Sequence, residues 1–348
     1  MNTILNNIDD IKRVKEDIKV AIEEKGVDMT NTPFTGYAAK INEITGGGET
    51  VIDVAEYGIK FANSKLTEIP EIFDFSNVTD YSYMFTNCKN LTGSPIGDSI
   101  VVSSGEYAFY ESNIQVPNNI HINNNASTFN MIGGGYNEIT TDGYELNIVC
   151  DSFPFNIISN ASYSDFLYIT LGESYVPGRD GGYGEKYQLF NNFDGFYIVI
   201  KAQPDQELEW LLRGCNADTI ILGDNSSSFN YSGGTSDGDN IFWVNNCRSF
   251  YLNGDYSNYG WRTVNGERYY NEYFFECEEV YGCKNLKGSF KFTNANTNIY
   301  TFRDFINNIG SVSVEDGCYI LIPTALLNQL TEDEISIVVN KGYRISGI

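Results

Sequence analysis

Apolar residues near the start of the chain recur at alternating steps of four and three residues. The stripe consists of Ile4, Ile8, Ile11, Ile18 and Ile22, and Lys15 interrupts it once. This spacing predicts a helix over residues 4–24 with a narrow apolar seam. Because isoleucine at both seam positions favours three-stranded coiled coils, the stripe indicates a homotrimer seam; the alternative is a helix that packs on its own domain.

A second, shorter helix is predicted soon after the first. Phe34, Tyr37 and Ile41 have helical spacing and follow Pro33, a residue typical of a first helical turn. Residues 46–50 are rich in glycine and predict a flexible linker. Residues 1–45 therefore form a predicted helical anchor and oligomerisation module, which is too short to be stable alone and must dock on something.

From residue 51 onward the pattern changes to short apolar runs separated by Gly, Asn and Asp. Runs such as 146–149, 167–171 and 196–200 have the length of single strands. The 25 Tyr and 22 Phe, beside 33 Gly, fit a turn-dense β structure. The chain is thus predicted to be mostly β, with a short N-terminal helical module and a β-rich body over 51–348.

Internal repeats divide this body into similar steps. Segment 88–94 recurs almost unchanged at 283–289, and looser versions occur at 211–224, 243–255 and 274–277. The pattern predicts a β-solenoid with degenerate repeats, in which each Cys packs inward at a turn and the next strand stacks on its neighbours. Between 95 and 210 the repeats are badly degraded, so either insertions or a different β region fill that stretch. The predicted repeat-core residues are Met84, Phe85, Cys88, Leu91, Cys215, Cys247, Cys277 and Cys283.

The amino-acid composition argues against several classes of function. With 22 Lys+Arg against 46 Asp+Glu, the net charge of −24 argues against nucleic-acid binding. A single histidine argues against a catalytic triad or a multi-His metal site, so we expect no enzyme and no cofactor. The 7 cysteines include no Cys-x-x-Cys pair and are expected to be buried, reduced thiols. No apolar run approaches the length of a membrane span, so membrane insertion is not expected.

Two aromatic clusters lie in polar, Gly-containing stretches and are candidate receptor contacts. Exposed Tyr and Trp offer large contact areas at low entropic cost. The alternative is that alternate rings face the core. Carboxylates are so numerous that some pair will lie at glycosidase distance by chance, which leaves a polysaccharide depolymerase as a minor alternative. The clusters consist of Tyr175, Arg179, Tyr183 and Tyr187, and of Tyr256, Tyr259, Trp261, Arg262 and Tyr269.

Two segments resemble a known repeat family. Residues 77–91, with Met84, Phe85, Cys88 and Leu91, resemble the repeat of BspA-like leucine-rich-repeat proteins. Residues 327–346 are similar to the closing segment of such arrays, in which a Thr-capped helix runs into a Lys-Gly-aromatic turn and a last strand. Thr331 and Glu334 have the spacing of a capping box there. The resemblance implies a leucine-rich-repeat body.

The N-terminal module resembles a segment that precedes β-rich domains in bacteriophage virion proteins, especially fibre-like proteins of crAss-like phages that infect gut bacteria. Residues 18–27, 32–34, 37–38 and 40–41 carry this resemblance. It implies a structural virion protein, a head or tail fibre or appendage. Residues 1–45 would attach it to capsid, portal or tail proteins, and the body would bind a host-surface glycan or protein.

The start of the sequence has no secretory-leader features, whereas BspA-like adhesins need a leader. We therefore expect assembly into a virion in the host cytoplasm rather than a bacterial adhesin. A decoration protein that only bridges other virion proteins is the first alternative.

Overall fold

In a computed structural model, β-strand is the main regular secondary structure of the described residues, as the sequence predicts. The structure describes residues 2–41, 51–94, 96–127, 130–141, 143–151, 157–172, 189–201, 212, 215–223, 228–230, 246–258, 261–264 and 267–348. In this part of the chain, no helix is both long enough and apolar enough to cross a bilayer.

The chain divides into two compact units. Unit 1 comprises 1–60 and 68–78, and unit 2 comprises 61–67 and 79–348. The start of the predicted body, 51–60 and 68–78, thus groups with the N-terminal helices. The predicted linker at 46–50 lies outside the described residues.

Unit 1 contains both predicted N-terminal helices. Its elements are α1 (Asn2–Glu24), a 3-10 turn (Phe34–Gly36), α2 (Tyr37–Ile41), β1 (Ile52–Asp53) and β2 (Phe73–Asp74). Gly26 ends α1 with a φ of +84°, a conformation that glycine adopts at low cost. The two strands are parallel, with Ile52 opposite Phe73.

The C-terminal half of the predicted seam is buried inside unit 1. Ile18 and Ile22 pack with Val27, Met29 and Tyr37 in one core cluster. For these two isoleucines the structure therefore agrees with the alternative prediction, a helix that packs on its own domain. The chain turns after α1, and Met29 and Tyr37 pack against them. Of the other predicted anchor residues, Ile41 is partly buried against the cluster, Phe34 is 51% exposed, and the side chains of Ile4, Ile8 and Ile11 lie outside the described residues.

Unit 2 holds the remaining elements. Its strands are β3 (Ser99–Ser104), β4 (Phe109–Tyr110), β5 (Asn119–Ser127), β6 (Ile132–Glu138), β7 (Glu145–Cys150), β8 (Ile158–Leu171), β9 (Phe190–Lys201), β10 (Cys215–Leu222), β11 (Ser228–Asn230), β12 (Asn246–Asn258), β13 (Trp261–Val264), β14 (Glu267–Tyr270), β15 (Glu272–Phe275), β16 (Cys277–Lys284), β17 (Ser289–Phe292), β18 (Tyr319–Ile322) and β19 (Arg344–Gly347). Its helices are α3 (Ile299–Asn308), a 3-10 turn (Val314–Asp316), α4 (Thr324–Leu327) and α5 (Glu332–Asn340).

Parallel pairing builds a large sheet from these strands. Within the described residues the sheet has 11 strands, and its longest path follows the chain from β3 through β5, β7, β8, β9 and β10 to β12, on which β16 pairs in turn. Strands β4 and β6 form a second row that also reaches β8. The stretch 95–210, in which the sequence repeats are degraded, contributes β3 to β9. It belongs to the same sheet as the strands that follow it.

Inward-facing residues of this sheet lie in register from strand to strand. One buried row consists of Ile100, Ile120, Ile148, Ile169, Ile200, Leu222 and Leu252. Strand side chains alternate between the two faces, so aligned strands place like residues on top of one another. At the end of this row Gly282 pairs with Leu252. Gly282 has a φ of +81°, and a Cβ there would collide with the Leu252 carbonyl oxygen.

The C-terminal segment forms a separate parallel sheet in the order β15, β17, β18, β19. Phe302 and Phe305 of α3 pack on Phe290 and Phe292, with ring centroids between 5.0 and 5.2 Å apart. The predicted capping box is confirmed, because Thr331 accepts a hydrogen bond from the Glu334 amide and Glu334 accepts one from the Thr331 amide. The predicted helix, Lys-Gly-aromatic turn and last strand are therefore present.

Candidate functional site

Strands β10, β12 and β16 carry a row of alternating charges close to where they begin. Ala217 pairs with Cys247, and Cys247 pairs with Cys277. All three are buried, so the residue after each one lies on the outer face. Those residues are Asp218, Arg248 and Glu278. The fold thus places a guanidinium between two carboxylates.

Arg248 binds Asp218 through two parallel hydrogen bonds. Nε donates to Oδ1 and Nη2 donates to Oδ2, both at 2.8 Å. Such bidentate pairs have fixed geometry as well as charge. The hydrogen bonds from Arg248 lower the pKa of Asp218, although burial opposes them. The hydrogen bond and charge of Asp218, with the charges of Glu279 and Glu278, raise the pKa of Arg248. Both groups are therefore held ionised.

This row borders a shallow cavity of about 330 Å³, which we call the polar groove. Asn216 Nδ2 donates to Asp194 Oδ1 at 2.7 Å and so orients the amide at one side of the groove. Asn294 Nδ2 donates to the Glu276 carbonyl at 3.2 Å on the other side. The groove is lined by Asp194, Gly195, Asn216, Ala217, Asp218, Cys247, Arg248, Glu278 and Asn294.

Exposed rings lie next to the polar groove on the side of β9. Gly195 pairs with Ala217 and Tyr197 with Thr219, so Phe196 is level with Asp218. Phe196 is 48% exposed and Phe166 is 36% exposed. The Phe166 centroid lies 6.4 Å from that of Phe196 and 5.2 Å from that of Tyr197. We call these three rings the aromatic edge. The surface therefore joins apolar ring faces to a hydrogen-bonding groove.

The structure places the predicted receptor contacts differently from this surface. Tyr256 is fully buried, which corrects its assignment to a contact surface: it continues the inward alternation of Leu252 in β12. Tyr269 is exposed on β14, which pairs antiparallel with β13. Trp261 and Arg262 lie on β13, but their side chains are outside the described residues. Also outside the described residues are Tyr175, Arg179, Tyr183, Tyr187 and Tyr259.

All the predicted repeat-core residues are buried, at 0 to 2% exposure. They are Met84, Phe85, Cys88, Leu91, Cys215, Cys247, Cys277 and Cys283. The alignment of the repeats needs one correction, because Ala217 rather than Cys215 pairs with Cys247. A hydrogen bond with Cys247, together with burial, raises the pKa of Cys277. Protonated, buried thiols of this kind are packing groups rather than nucleophiles.

Sequence reasoning missed the polar groove. Part of the signal lay next to two repeat-core cysteines, since a charged residue directly follows Cys247 and Cys277. The third charge, Asp218, follows Ala217, which is not a repeat-core residue. Without the register, however, those charges could not be assigned to one row. Comparisons with protein-family models, with curated proteins and with solved structures found no match to this chain.

Proposed function

We propose that the body of this chain is a BspA-like leucine-rich-repeat solenoid that acts by binding. Paired strands in the large sheet lie roughly 20 to 30 residues apart in sequence, a period typical of solenoids. The aromatic rows of its first part support the leucine-rich-repeat assignment. Phe61, Phe85 and Phe109 are stacked, with successive centroids 5.8 Å apart.

In this proposal the chain is a structural protein of a bacteriophage particle, a head or tail fibre or appendage. The N-terminal resemblance supports the assignment of residues 1–45 to attachment on capsid, portal or tail proteins. A trimer remains part of the proposal. Its seam would have to use surfaces of α1 other than Ile18 and Ile22, since those side chains pack within their own chain.

The observation that carries the binding role is the alignment of the polar groove with the aromatic edge. A general acid in a glycosidase needs a raised carboxyl pKa, whereas Arg248 lowers the pKa of Asp218. That carboxylate is therefore suited to accepting hydrogen bonds from a ligand rather than to donating a proton. Many copies on one particle would multiply the modest affinity of such a site.

We expect the fluorescently labelled full chain to bind saturably to cells of a gut bacterium, and polysaccharide extracted from those cells to compete. Cell binding is measured by flow cytometry, and reducing sugar released from the polysaccharide is measured in parallel. Binding without sugar release is the expected result. Sugar release would instead identify a depolymerase. No binding across a panel of gut bacteria would contradict the receptor role and favour a protein that only bridges virion components.

A further inference from the structure

We propose that the polar groove and the aromatic edge together bind an uncharged, hydroxyl-rich oligosaccharide and reject anionic sugars. This inference rests on the proposed binding function and names the class of ligand and its position on the sheet.

The aromatic edge offers stacking surfaces for sugar rings. Phe196 is exposed and level with Asp218 of the groove, and the exposed Phe166 ring packs edge-on against Phe196 and Tyr197. The C–H faces of a pyranose carry partial positive charge, and the face of an aromatic ring is its negative region. A sugar unit on Phe196 would therefore lie at the start of the charged row.

The Asp218–Arg248 pair supplies ordered hydrogen-bonding groups beside that ring. Its two hydrogen bonds use two of the five N–H groups that a guanidinium carries. The Asp218 carboxylate also accepts a hydrogen bond from Thr219 Oγ1 at 3.1 Å, which fixes its orientation further. Because the pair is already held in place, a ligand would not have to order these long side chains on binding.

The spacing of the row suits a ligand that runs across the strands. Phe196, Asp218, Arg248 and Glu278 lie on four successive strands. Adjacent strands are about 4.8 Å apart, so the row is about 14 Å long. A ligand that lies across the strands would therefore meet the ring and the three charged side chains in turn.

The negative charge of the groove favours binding of neutral sugars over anionic ones. The groove is lined by the carboxylates of Asp194, Asp218 and Glu278, and by one guanidinium that is already paired with Asp218. A sialic or uronic acid would meet a net negative wall on a chain whose net charge is −24. Neutral sugars avoid this repulsion and can still donate hydroxyl hydrogens to the carboxylates.

The test uses the full chain on an array of neutral, sialylated and uronic-acid-containing glycans, followed by titration of the best neutral oligosaccharide. Phe196→Ala removes an exposed ring and is expected to weaken that binding at least roughly tenfold, a loss of 1.4 kcal/mol. Asp218→Asn keeps the shape of the side chain but removes its charge, and is expected to raise binding of anionic glycans relative to neutral ones.

The matched control is Tyr83→Ala, which removes an equally exposed ring that stacks on Tyr107 elsewhere in the chain. The affinity of this variant for the neutral oligosaccharide should equal that of the wild type.

Three results would overturn the inference while leaving the proposed cell binding intact. The first is unchanged neutral-glycan affinity in Phe196→Ala. The second is a wild-type preference for anionic glycans, and the third is cell binding that protease treatment of the cells abolishes, which would indicate a protein receptor. If the wild-type chain bound no cells at all, that result would instead contradict the proposed function.

Discussion

Asp255 shows how a single residue joins two neighbouring strands. Its carboxylate accepts hydrogen bonds from Asn285 Nδ2 at 3.2 and 3.0 Å and from the Ser257 amide at 2.9 Å, and Lys284 Nζ lies 3.4 Å away. These contacts span the register shift between β12 and β16. Burial would raise the pKa of Asp255, but the hydrogen bonds from Ser257, Asn285 and Lys284 lower it to about 2.

We expect Asp255→Asn to destabilise the protein near neutral pH and much less in acid. The folded-state pKa lies below the unfolded value of about 3.9, so the stabilisation is fully present above about pH 5. It is lost as the pH falls from about 4 to about 2. Because the side chain is 33% exposed, we expect about 1 kcal/mol rather than the larger value that the pKa difference alone implies.

The measurement is urea-induced unfolding of wild type and variant at pH 6 and pH 2. Glu276→Gln is the control, since it neutralises an exposed carboxylate one residue before β16. An equal difference between wild type and Asp255→Asn at both pH values would contradict the assigned pKa.

At the scale of one element, α5 is specified almost entirely by local sequence. Thr331 and Glu334 cap its first turn reciprocally, and three acids stand in that turn. Arg303 of α3 lies 2.6 Å from Glu334, and Lys341 Nζ donates to the carbonyls of Asn307 and Ile309 at 2.6 and 2.7 Å. Local capping starts the helix, and these contacts to the end of α3 hold it in place.

Thr331→Ala is expected to cost about 1 kcal/mol of stability because the first turn loses its side-chain acceptor. Hydrogen exchange of the α5 amides, followed by mass spectrometry, measures the local loss. The matched control is Ser336→Ala in the same helix. It removes only a hydroxyl that donates a hydrogen bond to the Glu332 carbonyl. Equal exchange in the two variants would argue against a capping role for Thr331.

At the scale of the whole molecule, stability in unit 2 is expected to be local along the array. Phe85 stacks on Phe61 and Phe109. Among the described residues, Phe305 contacts rings of the C-terminal sheet and of α3. Both side chains are fully buried. In a solenoid each repeat contacts only its neighbours, so damage at one end should spread little to the other.

We expect Phe85→Ala to cost about 3–5 kcal/mol locally and to increase hydrogen exchange over 61–110 while leaving 289–348 protected. Phe305→Ala is the reciprocal variant and should expose 289–348 while sparing 61–110. An increase of similar size throughout the chain in either variant would show that unit 2 unfolds as one cooperative body and would contradict the repeat interpretation.

Spacing along the chain is enough to predict the elements that depend on local periodicity and capping. It predicted α1, the short second helix, a mostly β body, the burial of the repeat-core residues and the capping box at Thr331. Each follows from spacing along the chain, because helical and strand periods decide which side chains share a face. The same spacing could not choose between an oligomer seam and an internal core for Ile18, since both bury the same stripe.

Which strands are neighbours, and in which register they pair, is fixed by long-range contacts of the folded chain. A period of two tells which face a side chain occupies but not which residue lies opposite it. The number of residues between paired strands varies, so Ala217 rather than Cys215 aligns with Cys247. Strands β3 to β9 belong to the same sheet although the sequence shows no clear repeat there. That register alone brings Phe196, Asp218, Arg248 and Glu278 into one row. The candidate site is therefore a property of long-range pairing, which no local pattern encodes.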